Sequence, residues 1–102
     1  MVKKDLPSII WNKRAAINLQ KAYEYIKEDS PANAQKVRNA IIKMVDGLSS
    51  NPEKYPLDKF KMNNPGNYRA FEKYSYRIAY KYTTKEIRVL RFRHTKQEPR
   101  KY

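Results

Sequence analysis

The stretch Tyr74-Ser75-Tyr76-Arg77-Ile78-Ala79-Tyr80-Lys81-Tyr82 decides the fold. Tyr74, Tyr76, Ile78, Tyr80 and Tyr82 alternate with Ser75, Arg77, Ala79 and Lys81, a period of two that predicts a half-buried β-strand. Thr83-Thr84-Lys85 then turns the chain, and Glu86 to Arg93 reads as the next strand. Ile87 and Val89 lie on one face of it and Leu90 and Phe92 on the other. Apolar groups on both faces predict a central strand. Upstream, Tyr68-Arg69-Ala70-Phe71 opens a further strand after Pro65-Gly66.

Before residue 51 the period changes from two to between three and four. Pro7 to Trp11 is a short β-like stretch, and Asn12 is placed to cap a helix starting at Lys13. Ala16, Leu19, Tyr23 and Ile26 form an apolar stripe that predicts a helix ending near Asp29. Ser30-Pro31 restarts the chain, since Ser accepts from free amides and Pro suits the first helical position. Ala34, Val37, Ile41, Met44 and Leu48 mark a second helix, which fades from Gly47 to Asn51 and is closed by Pro52. Two helices joined by so short a link are antiparallel. Residues 51–66, with Pro52, Pro56, Asn63-Asn64 and Pro65-Gly66, read as a loop. The fold class expected is α+β: a short N-terminal strand, then an antiparallel αα-hairpin packed on one face of a twisted, mainly antiparallel sheet, in the order β-α-α-β-β-β.

Composition bounds what such a fold can do. The 102 residues, read as one domain spanning 1–102, carry 23 Lys plus Arg against 10 Asp plus Glu, a net charge of +13. Residues 52–102 hold fourteen of the cations and five of the acids. A field of that size attracts polyanions by steering and counterion release. A solvated surface that only aids solubility needs a net charge of about 2–8. The chain has no Cys and one His, so thiolate metal sites, disulfides and a Cys nucleophile are excluded. No long apolar run suggests a leader or a membrane span. The location expected is cytoplasmic, with no membrane partner.

The candidate chemistry lies in the basic strands. Arg69, Arg77, Lys81, Arg88, Arg91, Arg93, His94 and Lys96 come from neighbouring strands, with Lys54, Lys59 and Lys61 in the preceding loop. Strand alternation groups Arg91 with Arg93, Arg88 with His94, and Arg77 with Lys81. Two or three guanidinium groups on one face suit a phosphate, whose oxygens they bind bidentately. The alternative is a row of charges that discourages sheet aggregation. His94 has the titration range for proton transfer, or else hydrogen-bonds backbone at a strand end. Tyr102 either frays or folds over the basic face to stack on a base.

The order of elements and several residues resemble the RelE/ParE toxin superfamily of bacterial type II toxin–antitoxin modules. The resemblance runs from about Ile10 to Pro99. It is carried by Trp11, Tyr25-Ile26, Asp29-Ser30-Pro31-Ala32 with Ala34, Leu48 with Pro52, Tyr68-Arg69, Tyr76-Arg77-Ile78-Ala79-Tyr80, and Ile87-Arg88-Val89-Leu90-Arg91-Phe92-Arg93-His94 with Gln97 and Pro99. Each motif alone is weak, and their order is what is specific.

The resemblance implies one of two activities. RelE-like members cut messenger RNA in the ribosomal decoding site, whereas ParE-like members inhibit DNA gyrase. Both have a cognate antitoxin, acidic in its toxin-binding part. On the nuclease reading, the one favoured by charge, Arg77 is the phosphate-binding catalytic group. Arg69 assists it, His94 transfers a proton, and Tyr102 stacks on substrate or assists. Lys59, Lys61, Lys81, Arg91, Arg93 and Lys96 would bind nucleic acid. The 2′-hydroxyl would attack the adjacent phosphorus, leaving a 2′,3′-cyclic phosphate and a 5′-hydroxyl, with no metal and no cofactor. Asp46 and Glu53 are the only candidates for an acidic base, and neither is assigned. On this reading ribosome and mRNA are the partners; on the alternative, DNA gyrase.

Overall fold

The computed structural model describes residues 6–97 and 100–102. The elements are β1 (Ser8–Trp11), α1 (Lys13–Asp29), α2 (Pro31–Asp46), a 3-10 turn (Gly47–Ser49), β2 (Tyr68–Lys73), β3 (Tyr76–Tyr82) and β4 (Glu86–His94). They form a four-stranded sheet in the order β1-β4-β3-β2. β1 pairs with β4 in parallel, Ile9 beside Ile87, and the other pairings are antiparallel. The helical hairpin is the crossover that allows the parallel pair, since parallel strands need a connection of about a dozen residues or more. The expected β-α-α-β-β-β order and the central position of β4 both hold.

Ser30 joins the helices by ending one and starting the other. Its N–H donates to the Ile26 carbonyl, closing α1, and its Oγ accepts from the Asn33 N–H at 3.1 Å, opening α2. Asn12 behaves differently from the expectation. It precedes α1, but its side chain caps nothing. Its Oδ1 accepts instead from the Arg88 guanidinium at 3.0 Å, while its backbone N–H continues the β1–β4 ladder to Val89. Its carbonyl still accepts from the Ala16 N–H at 3.0 Å, so that only the Asn12 side chain is drawn away from the helix.

The stripe on α1 is also shifted. Ala15 and Leu19 are buried, Ala22 and Ile26 pack beside them, and Ala16 is exposed. The β1 pairing sets the angle at which the helix enters, and with it which alanine faces the sheet. On α2, Val45 takes the buried place expected of Met44, which is half-buried. The core joins Val37, Ile41, Val45 and Leu48 to Phe71, Tyr76, Ile78, Tyr80, Ile87, Val89 and Phe92.

Two features of the sheet correct the period-two reading. Tyr74 and Ser75 are not strand residues. They have φ of 52° and 67° and form the tight β2–β3 turn. Two consecutive positive φ values are the geometry whose twist matches a two-residue hairpin. A bulge then breaks the β3–β4 register, so that Ala79 faces Arg91 while Tyr80 faces Val89. Leu90 is the extra residue. Beyond it the alternation inverts, and Phe92 returns to the helix face with Ile87 and Val89. Finally, β3 is buried on both faces from Tyr76 to Tyr80, because the loop before β2 folds across its second face.

Candidate functional site

The bulge decides where the cations go. Tyr76, Ile78, Tyr80 and Tyr82 face the helices, so Arg77, Ala79 and Lys81 face the other side. There Arg77 lies opposite Arg93, Ala79 opposite Arg91, and Lys81 opposite Arg88. Like charges directly across a ladder are unfavourable. Each pair with Arg77 or Arg88 in it draws in acid: Arg77 binds Asp58 and Glu72, and Arg88 binds Glu86 at 2.7 Å.

Asp58 is the centre of this face. It is 3% exposed, on a loop otherwise rich in lysine. Its Oδ1 accepts from Arg77 at 2.8 Å and from the Phe60 N–H at 3.0 Å, and its Oδ2 accepts from the Tyr102 hydroxyl at 2.6 Å. Burial pushes the Asp58 carboxyl up, but the bonds from Tyr102, Arg77 and Phe60 and the Arg77 charge outweigh it, and its pKa is lowered. The Tyr102 hydroxyl is raised, by burial first and then by its bond to the Asp58 carboxylate. The Phe60 ring lies over Arg77 at 4.9 Å and Arg93 at 5.4 Å. Burial, and then the neighbouring Arg77, lower the pKa of Arg93.

Backbone bonds strap the loop and tail together. Tyr102 N–H donates to the Phe60 carbonyl at 2.9 Å, and Met62 N–H to the Tyr102 carbonyl. Tyr102 therefore neither frays nor presents a free stacking face. Its ring covers the Arg91 guanidinium at 4.1 Å, and Arg91 also donates to the Arg100 carbonyl.

The four residues proposed for catalysis do not converge. Arg77 and Tyr102 meet through Asp58. Arg69 lies opposite Tyr80 on the helix face, where it donates to the Tyr55 carbonyl at 2.9 Å. His94 lies opposite Tyr76, also on the helix face, its ring edge-on to Tyr76 at 5.2 Å. His94 Nδ1 accepts from the Lys96 N–H at 3.0 Å, the strand-end arrangement. The grouping of Arg88 with His94 fails for the same reason as that of Leu90 with Phe92: the bulge lies between them.

The nucleic-acid candidates divide likewise. Lys61, Lys81, Arg91 and Arg93 belong to the face opposite the helices, and Lys59 stands over Phe60 on the loop. Lys96 and His94 instead line a cleft of about 550 Å³ against α1, with Asn18, Lys21, Tyr25 and Phe92. Asp46 is exposed on α2, and Glu53 accepts from the Tyr82 hydroxyl at 3.2 Å. Asp58, Phe60 and Glu72 were not among the sequence candidates. The one available signal was a lone acid two residues before an aromatic in a lysine-rich loop. Pro99 lies outside the described residues.

Residues 9–99 match the family model described as ParE toxin of type II toxin-antitoxin system, parDE. No curated protein is significantly similar in sequence. Among solved structures, a chain of the chromosomal ParDE toxin–antitoxin system from P. aeruginosa superposes with a TM-score of 0.67 at 23% identity, over 87% of this chain and 96% of that one. The YoeB dimer from Staphylococcus aureus superposes with a TM-score of 0.57 at 14% identity, over 88% and 98%. Both likenesses are of fold. The match over 9–99, on the β-α-α-β-β-β architecture just described, places this chain in the ParE toxin family of type II toxin–antitoxin systems, within the RelE/ParE superfamily.

Proposed function

We propose that this toxin acts as a ParE-like inhibitor of DNA gyrase, by protein binding rather than by cutting RNA, and that a cognate acidic antitoxin neutralises it. One observation carries the reading: the residues a metal-free nuclease would need are separated. Phosphoryl transfer needs a charge stabiliser and a proton-transfer group on the same reacting atoms, within hydrogen-bond reach. Here Arg77 is held by two carboxylates under Phe60, while His94 and Arg69 lie on the opposite side of the sheet. Membership of the ParE family supports the same branch. The charge of +13 suits an acidic antitoxin segment, and the ParDE likeness supports such a partner.

The test pairs a gyrase supercoiling assay with a cell-free translation reaction in which message ends are mapped by primer extension. Loss of supercoiling with intact message is the expected result. Cuts within translated message, sensitive to His94→Gln, would overturn the proposal and restore the nuclease reading.

A further inference from the structure

The cleft between α1 and the end of β4 lies apart from the face that Asp58 organises. Its floor is the stacked pair Tyr76 and Phe92, whose rings are 5.1 Å apart, and the exposed Tyr25 stands at its rim. Tyr76 is 8% exposed, yet its hydroxyl has no hydrogen-bond partner among the described residues. Burial first, and then Tyr25, raise its pKa, as expected of a phenol that nothing holds. Buried polar groups are normally paired. This one opens on a cavity of about 550 Å³, a volume within the range of small-molecule sites.

The other polar groups add donors to the same space. His94 Nδ1 accepts from the Lys96 N–H at 3.0 Å, so the neutral ring carries its proton on Nε2. The Gln97 side chain accepts from the His94 N–H at 2.9 Å, which fixes the turn that carries Lys96. Lys21 enters from α1. Among the described residues neither lysine is ion-paired and no acid lines the cleft. Asn18 donates to the Phe92 carbonyl at 3.1 Å and ties the helix wall to the strand wall, so the cleft is formed in advance. Flat rings call for a flat apolar ligand, and the cluster of donors calls for an anion. From Asn18 to Tyr25 the helix wall runs about 10 Å. One ring or two fused rings with a carboxylate fit that length. A nucleotide, with base, sugar and phosphate in line, exceeds it. From these observations we infer that the cleft binds a small aromatic carboxylate, its ring against Tyr25 and its carboxylate accepting from the Tyr76 hydroxyl, with Lys21, His94 and Lys96 around the charge. Such binding goes beyond the gyrase reading and does not rest on it, because it is measured with neither gyrase nor antitoxin present.

The experiment is an amide chemical-shift titration of the full chain with 2-naphthoate at constant ionic strength. A ligand of that size should bind with a dissociation constant of about 1 mM or tighter. The shifts should centre on Lys21, Tyr25, His94 and Lys96. Tyr76→Phe should weaken binding about tenfold, the loss expected of a hydrogen bond to a charged group. It should leave the thermal midpoint in place, because that hydroxyl bonds nothing among the described residues. Lys21→Gln and Lys96→Gln should each weaken binding about threefold. Lys36→Gln and Lys43→Gln, exposed cations of α2, should leave it unchanged. The neutral 2-naphthalenemethanol should bind about tenfold more weakly than the acid, and cyclohexanecarboxylate about fivefold more weakly. Equal binding of the alcohol would overturn the proposal in favour of an unspecific apolar cleft. Equal binding of cyclohexanecarboxylate would overturn it in favour of a simple anion site, and tighter binding of uridine 5′-monophosphate in favour of a nucleotide site. Equal losses from the α2 variants would overturn it in favour of a diffuse field. Unchanged affinity in Tyr76→Phe, or no shift at about ten times the expected constant, would overturn it outright.

Discussion

The Tyr102 hydroxyl donates a 2.6 Å hydrogen bond to Asp58, 44 residues earlier in the chain. This contact, with the Asp58–Arg77 pair behind it, fastens both the loop before β2 and the tail to the sheet face turned away from the helices. Removing one member of a buried ion pair costs about 3–5 kcal/mol, because it leaves the other charge uncompensated. Glu72 still reaches Arg77, so Asp58→Asn should lose about 3 kcal/mol, near the lower limit. Tyr102→Phe should lose about 1.5 kcal/mol, as for a hydrogen bond to a charged group. Urea denaturation of both variants and their double should give a coupling of about 1 kcal/mol or more. Strict additivity would show that the two residues act separately.

The lowered Asp58 carboxyl sets an acid limit. A group whose folded pKa lies below its unfolded value adds stability that is present above the unfolded value, and loses it as pH falls through the folded one. Stability should therefore decline below about pH 4. Asp58→Asn should be less stable at neutral pH and show a shallower decline in that window. Parallel urea curves from pH 2 to 7 would check it.

Tyrosine sets the alkaline limit, with the opposite sign. Tyr102 and Tyr76 are raised, and burial pushes Tyr80 to about 12. A raised pKa adds stability that is complete below the unfolded value and is lost as pH rises through the folded one. Stability should fall from about pH 10 upward. Absorbance at the phenolate band should show a late-titrating group of tyrosines that titrates normally in urea. Tyr102→Phe should remove one member of that group.

The β2–β3 turn has room for improvement. Tyr74 and Ser75 both hold positive φ, which non-glycine residues adopt at a cost. Ser75→Gly should stabilise the protein by about 1 kcal/mol, and Tyr74→Asn with Ser75→Gly at least as much. The thermal midpoint should rise in both. Substitution of Ser75 by Val should lower it.

His94 separates the two readings of function. On the gyrase reading it is a strand-end residue whose Nδ1 accepts a backbone bond. His94→Gln should then retain supercoiling inhibition within about twofold, because a neutral amide can still accept that bond. A loss of two orders of magnitude would mean that the imidazole takes part in chemistry.

Much of the architecture was legible because it is encoded locally. Ser30-Pro31 ends one helix and begins the next with groups three or four residues away. Glu86 to Arg93 reads as a central strand from apolar residues on both parities. The position holds through its pairing with β1 and β3, but the reason does not, because the bulge puts Ile87, Val89 and Phe92 on one face. The misplaced faces of β4 share one cause, which is that periodicity assumes an unbroken ladder. One inserted residue, Leu90, inverts the parity beyond it, so that His94 parts from Arg88 and Phe92 joins the core. No local propensity marks that position, because a bulge is set by how two strands pair. Asn12 is the same lesson at a helix start: its side chain had a local role open to it, and Arg88 from another strand took it. At the site, the residue types near Arg77 were visible in the chain, but their grouping was not. Asp58 is one acid among lysines until folding brings it 2.8 Å from Arg77 and 2.6 Å from the Tyr102 oxygen. Helices, turns and strand identity depend on neighbours within a few residues, whereas the face each cation occupies depends on register and burial, which exist only once the sheet has formed.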